Sequence, residues 1–129
     1  MKYKTSELTG ALLDAVVAKA LGLIFTIAPA VDIQQAGRQL TRDICRVENG
    51  KSIWMVGFFP SSNWADGGPI IDREKIGCYW IADESQWRAG LDMHGYTPEF
   101  DLAQSHGPTM LIASMRAFVA VKMGAEVDL

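Results

Sequence analysis

Apolar residues recur at helical spacing near both ends of the chain and alternate with polar ones in between, a pattern that predicts terminal helices around central strands. Residues 5–21, TSELTGALLDAVVAKAL, read as a helix. Thr5 or Ser6 can cap it, and Glu7 suits the positive end of its dipole. Leu8, Leu12, Val16 and Lys19 or Ala20 share one face, while Leu13, Val17 and Leu21 widen the apolar surface, which implies burial on more than one side. Glu7, Gly10 and Asp14 fall on the remaining face, and Gly22 supplies a stop. A last helix follows Gly107-Pro108, with the proline at the first helical position. Leu111, Ile112, Met115, Phe118 and Val119 form its apolar stripe, Lys122 suits its negative end and Gly124 closes it. AEVDL then reads as a short acidic tail.

Between the helices, LIFTI (23–27) predicts a strand ended by Pro29. Residues 31–44 fit a short helix capped by Asp32, with Ile33, Ala36 and Leu40 inward, although Gly37 weakens it. Asn49-Gly50 lies between two apolar-rich runs and predicts a tight hairpin turn, because both residues tolerate positive φ. Residues 76–93, IGCYWIADESQWRAGLDM, predict a second hairpin turning at DESQ, with a helix over 83–91 as the competing reading. Residues 94–107 read as loop. Together these elements predict one α+β domain over 1–129: an antiparallel sheet of about four strands (two hairpins), packed on one face by the N- and C-terminal helices.

Composition sharpens this picture. With 129 residues and 49% hydrophobic content, the chain can bury a real core without disulfides or a metal. Its net charge of −3 disfavours general binding to nucleic acid. Arg38, Arg42 and Arg46 would form one stripe if helical, but a solvated charged face is the simpler reading. Cys45 and Cys78 form no CxxC pair, His94 and His106 lie twelve apart, and no zinc pattern occurs, so free thiols and no metal or cofactor are expected. The N-terminus lacks a signal layout, and the apolar stretch 11–30 is broken by Asp14, Lys19 and Gly22, so no membrane span is expected and the cytoplasm is the expected location.

Candidate chemistry concentrates in residues 60–77, PSSNWADGGPIIDREKIG. Read as a loop, this stretch is stiffened by Pro60 and Pro69, with Gly67-Gly68 free to take positive φ beside Asp66. Ser61 and Ser62 can bond local backbone, Ile70 and Ile71 would anchor it, and Trp64 can pack as a lid. The simpler role is a structural loop; the sharper one is a ligand-binding loop presenting polar groups and an aromatic face. It carries neither a phosphate-binding loop pattern nor GxGxxG. Asp66, Asp72 and Glu74, with Asp14 from another element, could form an acid/base pair or hold Mg²⁺, but the spacing is not diagnostic. Arg116 fits a salt bridge to Asp14 or Glu126, or anion recognition. The four tryptophans, Trp54, Trp64, Trp80 and Trp87, would mark a partner surface wherever they stay exposed.

Three passages taken together, TSELTGALLDAVVAKALG, PSSNWADGGPIIDREKIG and GPTMLIASMRAFVAVKMGAEVDL, resemble the NinX-like phage and prophage proteins. The resemblance covers both ends and the centre; residues 23–59 and 78–106 match poorly. It departs at Ala15 and Val16, where such proteins often carry an aromatic residue. The resemblance implies a phage or prophage origin and brings no activity and no catalytic residues. The first expectation is therefore a non-enzymatic accessory protein binding a host or phage protein. The alternative is a small-molecule or nucleotide binder, or a small hydrolase, using residues 60–77. The candidate site residues are Trp64, Asp66, Gly67, Gly68, Asp14 and Arg116.

Overall fold

The structure, a computed structural model, describes residues 1–29, 42–48, 55–91 and 104–129, together with the backbone of 34–35 and 38–39. Its order is β1 (Lys2–Lys4), a 3₁₀ turn (Thr5–Glu7), α1 (Gly10–Ala20), β2 (Phe25–Ala28), β3 (Gln34–Gln35), β4 (Arg38–Gln39), β5 (Ile44–Glu48) and β6 (Met55–Gly57). Then come α2 (Trp64–Glu74), β7 (Ile76–Ile81), a 3₁₀ turn (Ala82–Glu84), β8 (Gln86–Leu91), β9 (Ser105–Gly107), α3 (Met110–Met123) and β10 (Glu126–Asp128). The fold is α+β.

The strands belong to separate antiparallel sheets, ordered β2-β5-β6 and β7-β8-β9, with two small ribbons, β1-β10 and β3-β4. The two hairpins therefore do not share a sheet. Helix α1 packs on β5 and on α3, and α3 packs on β7, β8 and β9, so the helix pair lies between the two sheets. The apolar surface of α1, wide as the spacing predicted, has two surfaces to cover. Ala15 and Ala18 meet Cys45 and Val47 on one side. Leu13, Val16 and Val17 meet Met115, Phe118 and Val119 of the main core on the other. Leu13, Ala15, Val16, Val17 and Ala18 are completely buried, and each large aliphatic side chain among them contributes on the order of 1.5–3 kcal/mol. At Ala15 and Val16 there is thus tight core packing.

Several boundaries differ from the sequence reading, each for a local reason. The first helix splits: Thr5 and Ser6 do not cap α1, which starts after Thr9, with Gly10 at φ +58°. The Thr5 hydroxyl instead reaches the carbonyls of Gly124 and Ala125, at 3.0 and 3.1 Å. These bonds dock the supposed acidic tail as a strand, with Val127 opposite Tyr3 and buried. Gly22 does stop α1: at φ +74° it donates to Lys19 O while Leu23 donates to Ala18 O, a Schellman closure. Pro108 precedes α3 rather than opening it; Thr109 is the cap, its hydroxyl accepting from Ile112 N at 3.1 Å.

β5 and β6 pair as expected, but Glu48 faces Met55, whereas a two-residue turn at Asn49-Gly50 would place it opposite Lys51. The turn itself, with Trp54, lies outside the described residues. The backbone is extended at Gln34–Gln35 and Arg38–Gln39, not helical, and Arg46 lies on β5, so Arg38, Arg42 and Arg46 form no helical stripe. Residues 76–91 are the hairpin, not the helix: Trp80 faces Trp87, and Ser85 takes the left-handed turn position at φ 51°. Ser105–Gly107, read as loop, is the third strand of that sheet, pairing with β8. His94 lies outside the described residues.

Candidate functional site

Residues 60–77 are mostly a helix, not a loop. Asn63 caps α2, its side-chain oxygen accepting from Ala65 N at 2.8 Å. Asp66, three residues on, turns back so that its carboxylate accepts from Phe59 N at 2.9 Å. Phe59 O accepts from Ser62 N and Asn63 N, which closes the turn in front of the helix. Neither Gly67 nor Gly68 has positive φ. Gly67 is needed for close approach: a Cβ there would lie 2.4 Å from Pro60 O and 2.7 Å from a Leu111 methyl. Pro69 lies inside α2 with its ring exposed and has no N–H to give to the carbonyl four residues back, a local cost to the helix, while Ile70 next to it enters the core.

The turn delivers Ser61 to α1. Ser61 N donates to Asp14 Oδ1 at 2.8 Å, and both residues are buried. Asp14 thus lies beneath the turn and not on the outer face of α1. Burial raises its pKa from 3.8 to about 6; the Ser61 bonds and the Arg42 guanidinium oppose the rise, and Asp66 adds to it. Above this carboxyl opens a cleft of about 460 Å³, lined by Thr9, Arg42, Asp43, Phe59, Ser61, Ser62 and Ile112 among others. A second cleft, of about 510 Å³, lies on the other side of Ser61, Ser62 and Ile112, which line both. It is walled by Trp64, Trp87, Pro108, Met110 and Leu111. Trp80 meets Trp87 edge-on, with ring centroids 5.4 Å apart.

The candidates therefore separate. Asp14 and Trp64 line adjoining clefts, Asp66 and Gly67 shape the turn between them, and Gly68 sits beside the Trp64 ring. Arg116 stands apart, and its partners are neither Asp14 nor Glu126. Its Nε donates to Leu8 O at 2.9 Å and its Nη1 to His106 O at 2.8 Å, tying α3 to the segment before α1 and to β9. Glu74 pairs with Arg73 and Lys122, and Asp72 is exposed. Among the described residues, no three of His, Cys, Asp and Glu come together as a metal-holding group. His106 accepts from Arg88 Nε at 2.9 Å on the outer face of its sheet. Cys45 and Cys78 are free thiols, and burial pushes Cys45 up to about 12. No helix of the described residues is long and apolar enough to cross a membrane.

Ser61, Ser62 and Trp87 complete the clefts without having been singled out as site residues. For the turn and helix a signal was present, because Asn63 followed three residues later by Asp66 is a helix-start pattern. For the meeting of Ser61 with Asp14, across 47 positions, there was none.

Comparison with curated proteins returns no match. Residues 4–122 match the family described as Bacteriophage P22, NinX. That span holds the first two passages that carried the resemblance whole, the third as far as Lys122, and every residue lining the two clefts. The chain belongs to the NinX family of bacteriophage P22.

Proposed function

We propose that the chain is a phage- or prophage-encoded accessory protein that acts in the bacterial cytoplasm as a non-enzymatic, protein-binding module. The observation carrying this reading is the exposure of three large aromatic side chains: Trp64 at 53%, Trp80 at 50% and Tyr79 at 40%. Tryptophan and tyrosine left in water gain most when a partner covers them, at about 25 cal/mol per Å² of apolar surface. The family supports the phage setting. The non-enzymatic part draws on how the polar candidates are used: Asp66 holds a turn, Arg116 staples two carbonyls and Glu74 pairs with Lys122. The test is affinity capture from phage-infected host lysate with the tagged chain and with its Trp64→Ala/Trp80→Ala variant. A partner recovered by the first and lost by the second is expected; no partner above background refutes the reading.

A small-molecule binder is the second reading, favoured by the Asp14 cleft, whose volume lies in the small-ligand range. A thermal-shift screen of nucleotides and metabolites, repeated on Asp14→Asn, tests it. Asp14→Asn is used and not Asp66→Ala, because the latter removes the acceptor of Phe59 N and with it the turn. Absence of any shift refutes this reading.

A further inference from the structure

Among the described residues, β7 forms one edge of the β7-β8-β9 sheet, so its outward backbone groups have no strand beside them. It has six residues, while the next longest edge strand, β2, has four and the opposite edge, β9, has three. Sheets guard such edges with lysine, proline, a bulge or shortness. β7 has none of these. Its sequence, IGCYWI, carries no charge and no proline. All six residues pair with β8 in unbroken register, which leaves no room for a bulge. The side chains beside this edge are also exposed. Tyr79 stands on the outer face, held by Arg88 Nη1, which donates to its hydroxyl at 3.3 Å. Trp80 stands on the other face, with Cys78. An apolar, unguarded edge of this length is a template for a further strand.

The ends of β7 say which strand fits. Lys75 precedes it and Asp83 follows it; both are exposed, and neither makes an ion pair among the described residues. Opposite charges at its two ends make the strand complementary to itself run backwards. A twofold axis normal to the sheet keeps each side chain on its own face, so only registers that set one residue opposite itself are open. With Tyr79 on the axis, Cys78 lies opposite Trp80, Gly77 opposite Ile81, and Lys75 is set toward Asp83 at both ends. With Cys78 on the axis, Lys75 meets Ile81 instead. The next residues out, Glu74 and Glu84, are already engaged, by Lys122 at 3.8 Å and by Gln86 at 2.9 Å.

We propose that β7 pairs antiparallel with β7 of a second copy of this chain about a twofold axis at Tyr79, joining two three-stranded sheets into one of six strands. The pairing is closed: it leaves only the short β9 at each outer edge, so it stops at two copies. It goes beyond the partner reading above, uses the β7 edge and not Trp64 of α2, and its failure leaves that reading untouched.

The experiment is sedimentation equilibrium of the full chain from low micromolar to millimolar concentration. The proteins compared are the parent, Tyr79→Glu, Lys75→Asp, Asp83→Lys and the double swap Lys75→Asp/Asp83→Lys, with circular dichroism on each. Tyr79→Glu sets two carboxylates face to face on the axis and leaves each opposite Arg88 of its own chain. A monomer–dimer equilibrium in the parent, lost in Tyr79→Glu, supports the proposal. Each single reversal is expected to weaken the dimer about tenfold, since symmetry counts the altered pair twice, and the double swap to restore it. An effect of either charge on its own chain alone would not be restored. A parent that stays monomeric, assembly beyond two copies, a dimer that survives Tyr79→Glu, or a double swap no tighter than the single reversals overturns the proposal. Where Tyr79→Glu does not fold, the charge reversals decide.

Discussion

Asp14→Asn is the substitution that most directly tests the physical account of the site. Asparagine keeps the shape and keeps an oxygen for the Ser61 N–H, which lies 2.8 Å from Oδ1. It removes the charge and puts an amide donor in place of the second oxygen, so the bond from the Ser61 side chain is altered as well, by an amount that does not vary with pH. In the unfolded chain the carboxyl titrates near 3.8; in the folded chain burial raises it to about 6. A carboxyl raised on folding destabilises the native state at high pH, fully above the folded value, and that cost disappears as pH falls below the unfolded value. A shift from 3.8 to about 6 corresponds to about 3 kcal/mol at pH 7.5. At pH 5, still inside the window, about 1.6 kcal/mol of it remains. The variant is therefore expected to gain stability over the parent chain as pH rises, the gap widening by about 1.4 kcal/mol between pH 5 and pH 7.5. Urea denaturation of both proteins at a series of pH values measures this gap, in which other titrating groups cancel. A gap that is flat with pH, or that narrows as pH rises, refutes the reasoning. Asp14→Leu provides the contrast: it deletes the acceptor, leaves the Ser61 N–H buried without a partner, and is expected to cost about 1–3 kcal/mol at either pH.

Three further outcomes follow from the packing. Gly67→Ala is expected to destabilise by about 1–3 kcal/mol, because its Cβ meets Pro60 O, whereas Gly68→Ala, helical and open apart from the Trp64 ring at 3.9 Å, is expected to stabilise by up to about 1 kcal/mol; urea midpoints of the pair decide. Arg116→Leu leaves the carbonyls of Leu8 and His106 without their donor and is expected to lower the melting temperature with a loss of about 2–4 kcal/mol, read by calorimetry. Phe118→Ala, at 1% exposure in the main core, is expected to cost about 3–5 kcal/mol in denaturant unfolding.

Local chemistry made much of the fold legible. The wide apolar surface of α1, the Gly22 stop, the stripe of α3 and the hairpin at 76–91 were all readable, because each rests on periodicity or on a residue's own backbone preference. What misled was chemistry with two solutions. Gly67, Gly68 and Pro69 have the composition of a loop, yet the Asn63 cap, the Asp66 carboxylate and the buried Ile70 outweigh their poor helix propensity. Thr5 has the chemistry of a cap, yet its hydroxyl serves the C-terminal ribbon, whose position depends on the whole fold. The separation of the sheets was not legible, since two hairpins read the same whether they share a sheet or flank a helix pair. For the site, Trp64 and Asp14 were identified as candidates one by one, while their juxtaposition depended on the contact with Ser61.

That contact follows from the order of the layers. The chain leaves the sheet on the α1 side at β6 and must reach the sheet on the α3 side at β7. It crosses the ends of the helix pair on the way, and a crossing there buries backbone donors that no strand or helix of its own can satisfy. Ser61 N is such a donor, and the acceptor nearest to hand is on α1. A buried carboxyl in the middle of an otherwise apolar helix and a buried N–H in a turn are each unfavourable alone. Joined, they satisfy one another, and the Ser61 side chain adds a further bond to the carboxyl. The crossing then starts α2 with Trp64 on the opposite lip, since Asn63 fixes where that helix begins. The paired clefts are in this sense a by-product of joining two sheets around a helix pair: the five-residue turn from Phe59 to Asn63 seats Ser61 on the Asp14 carboxyl of α1 and starts α2 with the Trp64 indole.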